Sequence, residues 1–210
     1  MPIDLTFRDI FDCKGCGTPC DGTSKKSFNF QADTAISEIA ESEMIMRLNQ
    51  FDSLQAQKVT DENAHLPDIE ILKNDKVIAR VEVKAQGRAF MAVSRLLPSG
   101  NLLPYETVAL NRSDLLRYIK NFELENIPTF IVWRIKRPCI PDAWYGHDLE
   151  TLNKSFEEYG DKRTFKRRST QSDYVDGAHK GVTVNYHFSL KELLEITEIE
   201  KQILAISKTF

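Results

Sequence analysis

Long apolar runs are missing from this sequence: the longest, Ala89 to Val93, is five residues, against the roughly 20 that a membrane-spanning helix needs. A membrane helix is excluded, and no membrane partner is expected. The N-terminal text MPIDLTFRDIFD lacks a basic stretch followed by an apolar one, so no secretory leader is expected and a cytoplasmic location is. Charge of one sign is lacking too. The chain has 28 Lys and Arg against 31 Asp and Glu, a net charge of −3, which excludes a histone-like polycation but not a local basic patch. No internal repeat or low-complexity segment interrupts the chain. Cysteine is scarce and uneven: Cys13, Cys16 and Cys20 fall together in CKGCGTPC, while Cys139 stands alone. In a reducing compartment, closely spaced cysteines hold metal more often than they form disulfides. Four thiolates suit Zn2+ or an iron–sulfur cluster, with ordinary thiols as the alternative, and zinc is the expected metal if one is bound.

A length of 210 residues points to one domain with room for an appendage. Residues 1–30, with Cys, Gly and Lys and little periodicity, read as an irregular segment, and 31–210 as a single domain. Ile36, Ala40, Met44, Leu48 and Phe51 recur at helical spacing and predict a helix over 31–50. Residues 53–59 are a candidate strand. Two strands are predicted over 67–73 and 77–84, around the polar turn Asn74, Asp75, Lys76. Ser113 can cap a helix that runs to about residue 125, and Pro128 ends that pattern. Residues 129–135 (TFIVWRI) read as a buried strand. The stretch 137–181 is polar and reads as a long loop, followed by a strand over 182–188 and a helix over 190–207. This order predicts an α/β fold, with a central sheet flanked by helices.

The informative stretch is LPDIEILKNDKVIARVEVKAQ, residues 66–86. Side chains alternate between faces with period two, and residues opposite one another in a hairpin share a face. Matching Ile69 and Ile71 to the apolar set Val77, Ala79, Val81 and Val83 pairs Ile69 with Val81 and Ile71 with Ala79. On the other face Asp68 then lies across from Glu82 and Glu70 across from Arg80, with Lys84 projecting alongside Glu82. Two like-charged carboxylates placed side by side repel unless something cationic sits between them. Mg2+, a hard ion that takes oxygen ligands, suits that place. A lysine beside it can orient or deprotonate a water and stabilise negative charge on a phosphate. On the first helix, Glu41 lies about 60° from the centre of the apolar face at ~100° per residue. A carboxylate edging into a packed face must be paired or hold a metal, so Glu41 is a third candidate.

Pro67-Asp68 followed by Glu82-Val83-Lys84, behind a helix with an inward glutamate in AESEMIMRL, resembles the PD-(D/E)XK nuclease superfamily. The resemblance covers roughly residues 33–135. It implies a restriction-endonuclease-like fold, a central mixed sheet with core order α-β-β-β-α-β. It also implies that Asp68, Glu82, the Val83 carbonyl and Glu41 bind Mg2+ or Mn2+. Lys84 would position the attacking water and Gln86 would contact the scissile phosphate. Members that carry a 4Fe–4S cluster place one cysteine before the core and three after, whereas this chain has three before and one after. The expected activity is magnesium-dependent hydrolysis of DNA. Two alternatives stand beside it: a structure-selective junction resolvase, which requires a symmetric homodimer, and a non-catalytic nucleic-acid-binding module held by zinc.

A second feature bears on DNA. Lys162, Arg163, Lys166, Arg167 and Arg168 form the densest basic cluster and are candidates for contact with the phosphate backbone. The four histidines show no ligand spacing, and His187 is expected to point outward from its strand. Trp144 and Tyr145 are read as loop anchors that could stack on a base.

Overall fold

In the computed structural model, which describes residues 30–210 other than 64, 88, 138–139, 167–173, 176–177 and 180–181, helix α1 (Phe30–Leu48) opens the core. Ala40, Met44 and Leu48 are its buried stripe, at a spacing of four, while Ile36 is exposed. The inward face therefore begins one turn later than the periodicity suggests. Three antiparallel strands follow, β1 (Gln55–Lys58), β2 (Ile69–Lys73) and β3 (Lys76–Gln86). The register is the predicted one, Ile69 with Val81, Glu70 with Arg80 and Ile71 with Ala79. The turn differs. Asn74 and Asp75 both have positive φ (52° and 61°) and form a two-residue turn of the kind that matches strand twist, so Lys76 belongs to β3. A bulge between Ile71 and Leu72 absorbs the shift, pairing Leu72 with Val77 and leaving Ile78 as the extra residue.

Short helix α2 (Val93–Leu96) and strand β4 (Thr107–Asn111) lead into helix α3 (Arg112–Glu125). Asn126 ends α3 in the left-handed conformation, with φ 53°. Strand β5 (Thr129–Arg137) then runs parallel to β3, pairing Glu82 with Ile131 and Lys84 with Trp133. The stretch expected to be a loop instead holds strand β6 (Ile140–Asp148) and helix α4 (Leu149–Tyr159). Asp148 caps α4, its Oδ1 accepting the Thr151 N–H at 2.8 Å. Short strands β7 (Thr164–Lys166), β8 (Tyr174–Val175) and β9 (Ala178–His179) precede β10 (Val184–Ser189), β11 (Leu194–Glu195) and helix α5 (Ile196–Ser207).

The main sheet has the order β1-β2-β3-β5-β6-β11, and a second sheet the order β4-β10-β7. Alternation along β5 divides the core. Phe130 and Val132 face α1 and α5, with Ala79, Val81, Met44 and Ile199. Ile131, Trp133 and Ile135 face the opposite side, with Leu115 and Tyr118 of α3, Leu149 and Leu152 of α4, and Tyr186 and Phe188 of β10. The order α1, β1, β2, β3, α3, β5 is the α-β-β-β-α-β core, a mixed sheet flanked by helices. No described helix is long and apolar enough to cross a membrane. Cys13, Cys16, Cys20 and Cys139, like Arg167 and Arg168, lie outside the described residues.

Candidate active site

Strand β3 supplies the site because it outruns its partner. The ladder with β2 ends at Ile69, so the next N–H along β3, that of Val83, has no strand carbonyl opposite. It donates instead to Asp68 Oδ2, at 2.8 Å. The backbone of Asp68 is fixed from the other side, where its carbonyl accepts the Val59 N–H at 2.9 Å. Asp68 is thus held at the open end of the hairpin, facing the residues that β3 presents there.

Glu82 is 1% exposed. Its Oε1 is ion-paired with Lys84 Nζ, and its Oε2 accepts the Tyr118 hydroxyl at 2.6 Å. Burial, and then the charge of Glu82, push the Asp68 carboxyl up to about 7. For Lys84, burial works against the charge, but Glu82 and Asp68 outweigh it and the ammonium is held above its usual range. Two carboxylates that repel each other are therefore set close together, and the lysine paired with one of them acts on the charge of both.

Helix α3 lies over this face of β3. Arg80 of β3 reaches Glu125 at its end (2.7 Å) and Glu70 of β2 (3.2 Å), and Tyr118 reaches Glu82. Asp114 in its first turn is near enough to raise the Lys84 ammonium and pairs with Arg117 at 3.0 Å. Sequence reasoning missed Tyr118, Arg117 and Asp114. The spacing of Leu115 and Tyr118 marks an inward face of α3, but nothing in the sequence says that this face meets Glu82.

The other expected residues take different places. Glu41 is mostly buried and pairs with Lys58 Nζ of β1 at 2.7 Å, and it adds a small part of the negative field on Asp68. The Gln86 amide is engaged by β4: its Nε2 donates to the Thr107 carbonyl (3.2 Å) and its Oε1 accepts the Ala109 N–H (3.0 Å). In this way it stands in for a strand neighbour at the edge of the second sheet. Arg163 is not a surface cation. It is 1% exposed, with its guanidinium on both oxygens of Glu192 (2.6 and 2.7 Å) and its Nε on the Gly100 carbonyl (2.9 Å). The ring of Tyr159 lies 3.6 Å from its guanidinium carbon. The basic cluster is therefore divided, with Lys162 and Lys166 exposed and Arg163 internal. His187 is also inward, stacked on Phe90 at 4.8 Å. Trp144 and Tyr145 are strand residues of β6, and Arg134 lies over the Trp144 ring at 5.6 Å.

Among the described residues, no three His, Cys, Asp or Glu side chains are gathered into a ready cage for a cation. The donor set at Asp68 and Glu82 nevertheless fits a hard divalent ion. Both donors are carboxylates, Glu82 buried and Asp68 partly so, and their mutual repulsion favours positive charge near them.

The core order, together with Asp68 at the hairpin mouth and Glu82-Val83-Lys84 on its long strand, is the arrangement expected from the resemblance to PD-(D/E)XK nucleases. Two solved structures resemble the chain in shape. One is a Holliday junction resolvase from the archaeal hyperthermophile Archaeoglobus fulgidus, at 12% identity and a TM-score of 0.43, covering 79% of this chain and 95% of that one. The other is a nuclease from a fusselovirus, at 10% identity and a TM-score of 0.48, covering 85% and 94%. No family model matches the chain, and no curated protein matches it in sequence.

Proposed function

We propose that this protein is a metal-dependent endonuclease that hydrolyses DNA phosphodiester bonds, acting in restriction, repair or mobile-element defence. One observation carries the reading: Asp68 and Glu82 are held near each other at the mouth of the hairpin, with Lys84 paired to Glu82 and close enough to act on the Asp68 charge. A structural ion pair needs one carboxylate for one lysine. The second carboxylate is not needed for that pair, and its pKa is pushed up to about 7, a perturbation of the kind that clusters at functional sites.

Asp68 and Glu82 would hold the ion, with the Val83 carbonyl and Glu41 as further oxygen donors. Bound there, Mg2+ or Mn2+ would polarise the phosphate and lower the pKa of a water. Lys84 would position the attacking water and stabilise charge developing on the phosphate. The Val83 N–H fixes the Asp68 carboxylate throughout. Gln86 supports the site by tying β3 to β4, and release of its amide from Thr107 and Ala109 would free it to reach a phosphate. Exposed Lys162 and Lys166, with Arg167 and Arg168, would meet the DNA backbone. The cysteines Cys13, Cys16, Cys20 and Cys139 are a candidate zinc or iron–sulfur set, which elemental analysis of anaerobically purified protein tests.

The test of activity is incubation of the protein with plasmid, single-stranded and branched DNA, with Mg2+ or with chelator. Cleavage that chelator abolishes is the expected result. No cleavage of any substrate with Mg2+ or Mn2+ would sink the proposal, and cleavage of branched DNA alone would narrow it to a junction resolvase.

A further inference from the structure

The Glu82 carboxylate is fixed from two directions, and only one of them belongs to the PD-(D/E)XK motif set. Lys84 takes Oε1, and Tyr118 of α3 takes Oε2 across 36 residues of sequence, at 2.6 Å and fully out of water. A short hydrogen bond to a carboxylate in a dry site is of the strong, charge-assisted kind. Tyr118 cannot turn away without leaving Glu82 Oε2 unpaired in a place where no water replaces it.

The donor is itself held. Arg117 Nη2 donates to the Tyr118 oxygen at 3.3 Å, so the oxygen has an acceptor role on that side and its own proton is left for Glu82. Asp114 Oδ1 in turn fixes Arg117, at 3.0 Å. The chain Asp114, Arg117, Tyr118, Glu82 runs from the exposed side of α3 to the centre of the site.

We propose that Tyr118 is the positioning residue for Glu82. By taking Oε2 it fixes the plane of the carboxylate and leaves Oε1 to Lys84, so that Glu82 would be held in place for an ion. This rests on the nuclease reading above and assigns α3 a part in building the metal site. Partners of this sort, one shell out from the ligand, are worth 10–100-fold in metal affinity.

The test is Tyr118→Phe, which deletes one oxygen and keeps the ring in the core. Binding of Mn2+ is measured by titration calorimetry without nucleic acid, and cleavage is followed against Mn2+ concentration. The expected result is Mn2+ binding weakened 10–100-fold, with cleavage reduced at limiting metal and restored at saturating metal. Arg117→Gln, which keeps the phenol but releases its acceptor side, should show a smaller loss in the same direction. A Tyr118→Phe protein that melts lower but binds Mn2+ as wild type does would make Tyr118 a structural residue and overturn the inference alone. Wild-type protein that binds no Mn2+ overturns the nuclease reading and this inference with it. Should Tyr118→Phe fail to fold, Arg117→Gln decides: a several-fold loss of Mn2+ affinity supports the inference, and wild-type affinity overturns it.

Discussion

Asp68 and Val83 are joined across the open end of the hairpin, the carboxylate Oδ2 accepting the backbone N–H at 2.8 Å. The bond places a charged side chain where a strand would otherwise continue, and it holds that charge beside Glu82. Burial first, and Glu82 second, lift the Asp68 carboxyl from 3.8 to about 7. A carboxyl with a raised folded-state pKa keeps its proton in the fold while the unfolded chain has lost it. Stability therefore falls as pH rises from about 4 to about 7, and the loss is complete above that.

Asp68→Asn should separate function from stability on that account. The amide oxygen can still accept the Val83 N–H, but the charge that would hold a cation is gone. Cleavage should fall by at least about a hundredfold, the scale of removing one charge-stabilising group from a site. The melting temperature at pH 8 should rise above wild type, and the gain should shrink by pH 5, where wild-type Asp68 is mostly protonated. A variant less stable than wild type at pH 8 would mean that Asp68 and Glu82 do not repel in the fold.

The hairpin was legible in the sequence because its apolar residues alternate with period two, and only one register buries Ile69, Ile71, Ala79 and Val81 together. The bulge at Ile78 was not, since a two-residue and a three-residue turn give the same register beyond it. Strand β6 was hidden by its composition. Pro141, Asp142, Gly146 and Asp148 are turn residues by type, and the strand exists because β5 and β11 pair with it. Gly146 is required there, since a Cβ would lie 2.5 Å from the Ile131 carbonyl oxygen. Helix α4 did carry a signal: Asp148 as cap, then Leu149, Leu152 and Phe156 at helical spacing. Tyr118 and Glu82 meet only through the tertiary fold, so their contact had no local sign.

His187 should make the fold acid-sensitive. It is 3% exposed, with Nδ1 at 3.2 Å from the Arg163 carbonyl, and burial pulls its pKa from 6.5 down to about 4. The unfolded chain binds a proton near pH 6.5 that the fold refuses until about pH 4. The stability contribution is thus intact above 6.5 and is lost as pH falls through that window. At ~1.4 kcal/mol per unit, the loss approaches about 3 kcal/mol. Denaturant unfolding of wild type and His187→Gln at pH 7.5 and pH 4.5 measures it. The difference in stability between the two proteins should move in favour of the variant at the lower pH, and a pH-independent difference would refute it.

Arg163 and its basic neighbours should respond oppositely to mutation. Arg163→Ala removes the four hydrogen bonds of its guanidinium, to Gly100, Ser155 and both oxygens of Glu192, and empties a buried site, so it should destabilise by about 2–3 kcal/mol. Lys162→Ala with Lys166→Ala should leave the melting temperature nearly unchanged. If these lysines touch the DNA backbone, the log–log salt slope of duplex binding should flatten by about 0.9 per lost contact. Sequence preference should stay the same, because phosphate contacts position without specifying. An unchanged slope would return both lysines to the solvated surface.

Gln86 offers the sharpest choice between two roles at one residue. Its amide pairs with the Thr107 carbonyl and the Ala109 N–H much as a neighbouring strand would. Strand β4 is further held by Trp133 Nε1 on the Ala109 carbonyl (3.0 Å) and by Arg137 on the Tyr105 and Thr107 carbonyls (both 2.9 Å). In Gln86→Ala the Thr107 carbonyl keeps Arg137, but the Ala109 N–H loses its acceptor. An unpaired, partly buried amide costs about 1 kcal/mol, so the melting temperature should drop by a few degrees for a chain of this size. If the strut is the whole role, DNA affinity and the cleavage rate of the folded variant should match wild type below its melting transition. If Gln86 also reaches a phosphate, KM for DNA should rise in the same variant at a temperature where it is fully folded. Thermal melts paired with cleavage kinetics at 20 °C below the variant's midpoint distinguish the two, and a variant with wild-type stability would remove the strut.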